Sequence, residues 1–461
     1  MSMHSASPIG KVRVAVIICC LILIAGIVGC SYINDRNASV LSKDDITNKI
    51  ESTDTEDLKH SYLSEYIKKY GVGNINTYKI NQAESIVRSN FYKELPDRDT
   101  LAKETVSLFV EYFYDEIDLN NRDEVTDAII NCFIATIDDR WAYYRTSDQY
   151  LDYAGSLEGG SEFVGIGVRI DAETLEILSV FRDSGAFEAG IKRKDVIYGV
   201  DGKTVEDTPK DELVNMIRGE VDSTVKVTVK RGDELLEFTI TRKLLKEATV
   251  YYDINENNLG YIEILQFVGT TADEFKEAVD YCTARNAKAL IIDVRFNPGG
   301  LLNSVVEVID YLAPDAEGRR IASYTQNGEN IVYYTGDKHS VDVPIVVLCN
   351  ENSASGAELF TAAMRDYGKD GVMSTLVIGK TTYGKGLVQT SFLLYDNSAL
   401  TFTIGHYNPP CNVNFDGIGV IPDIEVDEVP DADAPLDLAT EKALELASKN
   451  DGFTVYLGEA A

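Results

Sequence analysis

Two segments of this chain read strand, loop and helix in the same way. Ala289-Leu-Ile-Ile-Asp-Val294 is an apolar run that passes through Asn297-Pro-Gly-Gly300 into an amphipathic stretch at Leu301–Leu312. Pro344-Ile-Val-Val-Leu-Cys349 passes through a turn ending at Ser355 into a second such stretch, Gly356–Tyr367. Strands that are apolar at nearly every position are buried on both faces, and strands joined through helices run parallel. Together with a strand at Gly260–Ile264 and a helix at Ala272–Arg285, this predicts an α/β region from about Tyr251 onward. Its functional loops belong at the carboxyl ends of the strands.

The chain has 461 residues, enough for two or three domains and a substantial core. Its 43 basic and 75 acidic side chains give a formal charge of −32. Such a surface repels phosphate backbones, which argues against nucleic acid as a partner. Cys132, Cys282, Cys349 and Cys411 show no metal-ligand or redox spacing and are expected as small buried hydrophobes, with no metal site.

Lys11 and Arg13 precede an apolar run from Val14 to Gly29 that ends at Cys30. Residues 1–30 therefore read as a secretory signal or a membrane anchor. Ile27-Val28-Gly29-Cys30-Ser31 resembles a bacterial lipobox, which makes Cys30 a lipidation candidate; an uncleaved single-span helix is the other reading. Both place the rest of the chain on the extracytoplasmic face of a bacterial cell membrane. Residues 31–75 are polar and are expected to form a tether with a helix near Leu58–Tyr70. Residues 76–157 carry apolar side chains at helical spacing: Ala102, Val106, Phe109, Val110 and Phe113, then Val125, Ile129, Ile130 and Phe133.

Residues 158–245 alternate short strands with two helical inserts. The expected elements are strands at Val164–Ile170, Leu175–Val180, Val196–Val200, Val225–Lys230 and Leu235–Thr241, and a helix at Pro209–Ile217. The segment resembles a PDZ domain of the bacterial protease type, on Val164–Val168, Ser184–Ile191 and Asp195–Gly202. It departs at Arg193-Lys194, where such domains have Pro-Gly. A peptide can add to the edge of such a sheet while the N–H groups of Val164, Gly165, Ile166, Gly167 and Val168 hold its terminal carboxylate.

The chemistry concentrates in Asn350–Glu358 and Gly384–Gln389. A serine hydroxyl needs a base within hydrogen-bond reach to become a nucleophile. None of the four histidines sits beside a candidate serine in the sequence. Lys385, flanked by Gly384 and Gly386 and followed by apolar residues, can serve if burial lowers its pKa by about three units. If Gly384–Leu394 is a strand, Lys385 and Gln389 share one face, and Gln389 can orient the amine without adding charge. Ser355-Gly-Ala-Glu358 also fits a helix capping box. The two roles are compatible, since a helix start offers free N–H groups to an oxyanion and Asn297-Pro-Gly-Gly300 can add a second donor. Gly379–Gly386 nearly matches a phosphate-binding loop, but glycine stands where the magnesium-binding hydroxyl belongs.

In order along the chain, Asp138-Asp139 with Tyr143-Tyr144, the PDZ block, Asp293–Gly300, Asn350–Glu358, Gly384–Gln389, Ala399–Thr403 and Gly417–Ile424 resemble the carboxyl-terminal processing peptidases, or tail-specific proteases. The resemblance covers roughly residues 80 to 445. It implies an α/β (α+β multidomain) architecture: a helical N-terminal region, a PDZ domain, and a ClpP/crotonase-like α/β peptidase core at 246–461 that ends in a helix. It also implies a serine endopeptidase with Ser355 as nucleophile, Lys385 as general base and Gln389 as its orienting partner. The oxyanion hole would come from Gly299, Gly300 and Gly356. No cofactor is implied. Partners would be proteins or peptides with accessible C-terminal tails and, through the N-terminus, a membrane; homo-oligomerisation stays open. The Ser355–Lys385 spacing is a few residues longer than the family pattern, through the loop Gly368–Thr375, expected at the opposite end of the sheet. Two alternatives are a catalytically silent membrane-tethered PDZ adaptor and an esterase on the same core.

Overall fold

The computed structural model describes residues 39–449, without 60, 161, 172, 315–317, 327, 337–338 and 428–432. The expected signal or anchor, Cys30 included, lies outside the described residues. Among the described residues no helix is long and apolar enough to cross a membrane. The chain divides into two compact units.

The first unit takes the described residues up to 153 together with 325–330 and 387–405. Its helices Thr77–Asn90, Arg98–Tyr112 and Arg122–Thr136 start at Asn76, Asp97 and Asn121, whose side chains accept N–H groups of the first turn. Such caps contribute about 1 kcal/mol each. Val106, Phe109, Val125, Ile129, Ile130 and Phe133 are fully buried, as their helical spacing requires. The polar tether does not extend to 75. Helices Lys43–Ser52 and Leu63–Lys69 bury Ile46, Leu63, Ile67 and Tyr70 completely. A few apolar residues at helical spacing are enough to dock an otherwise polar segment. Tyr143–Arg145 pairs antiparallel with Ala399–Thr401 in the same unit.

The second unit takes 154–324, 331–386 and the described residues from 406. Its PDZ part is built from strands Thr224–Arg231 and Glu234–Thr241 against Val196–Val200, around a core that includes Ile177, Ile197, Val227 and Ile240. The strand expected over Val164–Ile170 is broken in two. Glu162–Gly165 pairs with Lys243–Lys246, and Val168–Ile170 pairs with Ile177–Val180. The break is at Gly167, where φ is +79° and a Cβ would lie 2.1 Å from the Ser184 Cβ. Only glycine fits there.

The larger sheet has six strands in the order Val250–Ile254, Gly260–Ile264, Leu290–Asp293, Ile345–Cys349, Thr375–Gly379 and Ile424–Glu425. The first pair is antiparallel and the others are parallel. Helix Ala434–Lys449 covers one face, packing Ala439 and Ala443 against Ile291, Val346, Leu348 and Ile378. Thr375 registers with Ile345 and Gly379 with Cys349. The loop Gly368–Thr375 therefore enters at the amino end of the strands, and the lysine turn leaves at the carboxyl end. Cys132, Cys282 and Cys349 are buried, but Cys411 is exposed. It sits in the turn after Pro409-Pro410, where its N–H donates to Asp366 (3.1 Å) and its side chain is left outside the core.

Candidate active site

Three loops leave the carboxyl edge of adjacent parallel strands and are tied together by short-range bonds. The Ala354 N–H donates to the Asn297 carbonyl (2.9 Å), Ser353 Oγ to the Val294 carbonyl (2.8 Å), and the Tyr383 N–H to the Ser353 carbonyl (3.0 Å). Asn350 accepts the Phe296 N–H through Oδ1 (3.0 Å). These contacts carry the chain into Ser355 with φ +55° and ψ −114°. A non-glycine residue in that region costs about 1–3 kcal/mol and persists only where its surroundings enforce it. Ser355 is 7% exposed.

Glu358 organises the site. It is fully buried, and both of its carboxylate oxygens accept hydrogen bonds. Oε2 takes the N–H of Ser355 (2.8 Å) and the N–H of Lys385 (2.7 Å). Oε1 takes the N–H of Gly384 (2.6 Å) and the Thr382 hydroxyl (2.6 Å). The S-x-x-E pattern accounts for the bond to Ser355; the bonds to the lysine turn come from a segment more than twenty residues away. They also revise the expected backbone of that turn. Lys385 does not lie in a strand, because its N–H serves Glu358 and that of Gly386 serves Asp416 Oδ1 (3.0 Å). The strand begins at Leu387, so the phosphate-loop pattern leads into a strand and not a helix.

The glycines divide their work. The Gly299 N–H donates to Asn297 Oδ1 (2.8 Å), and its carbonyl accepts the Phe267 N–H (2.9 Å). That arrangement turns the next N–H, of Gly300, the other way. The Gly300 nitrogen is 3.4 Å from where a Gly356 Cβ would stand. Neither the Gly300 nor the Gly356 N–H meets an acceptor among the described residues. Of the three expected oxyanion residues, two offer N–H groups and Gly299 offers room: a Cβ on it would lie 2.6 Å from the Gly356 nitrogen.

Gln389 belongs to the first unit, where its Nε2 donates to the Trp141 carbonyl (2.6 Å). That bond fixes which end of the amide is which. Trp141 is itself placed by Asp139, whose carboxylate accepts the Trp141 N–H (3.0 Å) and the Thr403 N–H (2.8 Å). In the PDZ part, the N–H groups of Ile166 and Gly167 meet no acceptor among the described residues. Among the described residues Val168–Ile170 pairs on one side only, with Ile177–Val180, which leaves the other edge open there.

A model of peptidase family S41 matches residues 258–426, and a PDZ domain model matches residues 164–241. Over these residues the chain is similar to peptidase family S41 and to PDZ domains. A protein of Staphylococcus haemolyticus (strain JCSC1435) named "Probable CtpA-like serine protease" is 32% identical over 325 residues, 69% of this chain and 64% of that protein. One of the same name from Staphylococcus aureus (strain MRSA252) is 32% identical over 312 residues, 67% of this chain and 61% of that protein. The match thus spans less than two thirds of the length of these relatives. Among solved structures, the photosystem II D1 C-terminal processing protease aligns over 75% of this chain and 91% of its own, at 23% identity and a TM-score of 0.43. The S41 match contains Ser355, Lys385, Gly299, Gly300 and Gly356, and the PDZ match begins at Val164.

Sequence reasoning did not find Thr382 as a partner of Glu358, nor the bond that ties Trp141 to Gln389. Their partners are 24 and 248 residues away, and local spacing carries no trace of such pairs.

Proposed function

We propose that this chain is a membrane-associated, extracytoplasmic serine endopeptidase that captures the C-terminal tails of proteins through its PDZ domain and cleaves them with a Ser355/Lys385 dyad. The observation that carries the reading is Glu358 Oε2, which accepts the backbone N–H of both residues and so holds the two loops to one atom. The unpaired N–H groups of Gly300 and Gly356 beside Ser355 supply what a tetrahedral intermediate needs.

In this mechanism the Lys385 amine takes the Ser355 hydroxyl proton as Oγ bonds to the scissile carbonyl carbon. The carbonyl oxygen becomes an oxyanion facing the N–H groups of Gly300 and Gly356. When the C–N bond breaks, the ammonium of Lys385 returns the proton to the leaving amine. Lys385 then deprotonates a water molecule that attacks the acyl ester, and the proton passes to Oγ as the ester C–O bond breaks. Gln389, whose nitrogen is committed to Trp141, is assigned as the orienting partner of the lysine on the family pattern alone. Attachment to the membrane is assigned to the N-terminal run that ends at Cys30.

A serine-reactive phosphonate tests the reading against a silent adaptor. The account expects mass spectrometry to find the adduct on Ser355, and to find none in Lys385→Ala. An unlabelled wild type that still binds tail peptides would establish the adaptor.

A further inference from the structure

Phe296 stands between two pinned neighbours and is itself turned outward. Before it, Arg295 bonds Asp293 (2.6 Å) and Asp433 (2.7 Å). After it, Asn297 is fully buried, its N–H donating to the Val294 carbonyl (3.2 Å) and its Nδ2 to the Ile264 carbonyl (2.8 Å). The Phe296 N–H donates to Asn350 Oδ1 (3.0 Å), at the start of the turn that carries Ser355. Held in this way, Phe296 has φ +61° and is 62% exposed. A positive φ is strained for a bulky side chain, whereas glycine or asparagine adopts it readily. An exposed ring offsets none of that strain by burial, so the observation points to a use outside the fold. The place is next to the proposed chemistry. In the sheet order, the strand that leads to Ser355 lies between the strand that leads to Phe296 and the strand that leads to Tyr383. Tyr383 is a second exposed aromatic, its N–H on the Ser353 carbonyl (3.0 Å).

We propose that Phe296 is a specificity-determining residue whose ring contacts an apolar side chain of the substrate near the scissile bond. The inference rests on the dyad reading, which puts the scissile carbonyl at Ser355, facing the N–H groups of Gly300 and Gly356. A peptide whose carbonyl sits there passes the loops that carry Phe296 and Tyr383. An apolar side chain laid on the Phe296 ring takes both surfaces out of water, which the chain alone does not do for the ring. A hydroxyl-bearing or charged side chain at the same place loses hydration and meets no polar partner on the ring. The substrate class is therefore an unfolded segment with a large aliphatic or aromatic residue near the cut. This selection is separate from selection of the tail by the PDZ domain, whose match ends at residue 241. Phe296 takes no part in proton transfer.

Cuts made by the full chain in β-casein, mapped by mass spectrometry, supply the probe. Internally quenched peptides around the strongest cut are made with each residue near it replaced in turn by leucine or by serine. The expected result is a position at which the wild type prefers leucine to serine by at least about tenfold in kcat/KM, as apolar contacts of this size allow. Phe296→Asn is expected to bring that ratio below about threefold, and Phe296→Tyr, which keeps an aromatic ring, to retain it. Because asparagine adopts a positive φ readily, Phe296→Asn is expected to unfold at a urea midpoint equal to or above that of wild type. A lower midpoint would make Phe296 a packing residue and overturn the inference. A wild-type ratio retained in Phe296→Asn overturns it too, as does a wild type with no leucine preference at any position. An equal fall for leucine and serine peptides would mark a disturbed oxyanion loop and also overturns it. A wild type that neither cleaves nor takes phosphonate on Ser355 overturns the peptidase reading, and this inference with it.

Discussion

The backbone N–H groups of Ser355 and Lys385 donate to the same atom, Glu358 Oε2, at 2.8 and 2.7 Å. Two residues thirty positions apart are thereby held by a single buried acceptor. Replacing Glu358 tests how much depends on it. Glu358→Ala leaves four donors unsatisfied in a fully buried site, each costing about 1–3 kcal/mol. Glu358→Gln turns an NH2 group toward those donors. Both variants are expected to unfold at lower denaturant concentration, by at least about 3 kcal/mol for alanine, and to lose phosphonate labelling at Ser355. Unchanged unfolding and labelling would mean that the loops are held by other contacts.

The glycines proposed for the oxyanion hole make a sharper prediction, because Gly299 and Gly300 have different reasons to be glycine. A Cβ at Gly300, where φ is +144°, would stand 1.9 Å from the Phe267 carbonyl oxygen, so Gly300→Ala is expected to destabilise the fold as well as abolish activity. A Cβ at Gly299 would crowd the Gly356 nitrogen, so Gly299→Ala obstructs one donor directly. Loss of one such donor lowers kcat by about 10²–10³-fold. Parallel measurement of kcat and thermal unfolding separates the cases.

Much of this arrangement was legible in the sequence, for a physical reason. Ile291, Val346 and Leu348 belong to continuous apolar runs because their strands are covered on both faces, and a run of that kind is visible locally. The Ser355–Glu358 bond follows from spacing within one helical turn. The other bonds of Glu358, to Thr382, Gly384 and Lys385, cross from one strand end to the next and leave no periodic mark. The strand expected through Lys385 failed because side chains of Glu358 and Asp416 took the N–H groups that a ladder would use.

The terminal helix is fixed by an ion pair with a pH signature. Arg295, at the exit of the strand Leu290–Asp293, bonds both Asp293 (2.6 Å) and Asp433 (2.7 Å), the latter next to helix Ala434–Lys449. Burial raises the Asp433 carboxyl, but the bonds from Arg295 outweigh it and hold the group below its ordinary value. A depressed folded value means that the carboxylate stabilises the fold above the unfolded pKa, near 3.9, and that this stability is lost as pH falls through the lower folded value. Asp433→Asn is therefore expected to cost about 1–3 kcal/mol at pH 7. The difference from wild type should shrink below about pH 4. Urea midpoints at several pH values check it; a difference independent of pH would remove the charge from the explanation.

The proposed lysine base implies a pH–rate relation of definite sign. Only the neutral amine accepts the serine proton, so kcat/KM should rise about tenfold per pH unit below the Lys385 pKa and level off above it. A profile flat from pH 5 to 9 would count against lysine as the base.

The central claim is tested most directly by following, with mass spectrometry, the cleavage of an unstructured protein that ends in an apolar tail. Wild type would be compared with Ser355→Ala and Lys385→Ala. The account predicts discrete cuts by the wild type and none by either variant. Cleavage that continues unchanged in both variants would contradict it.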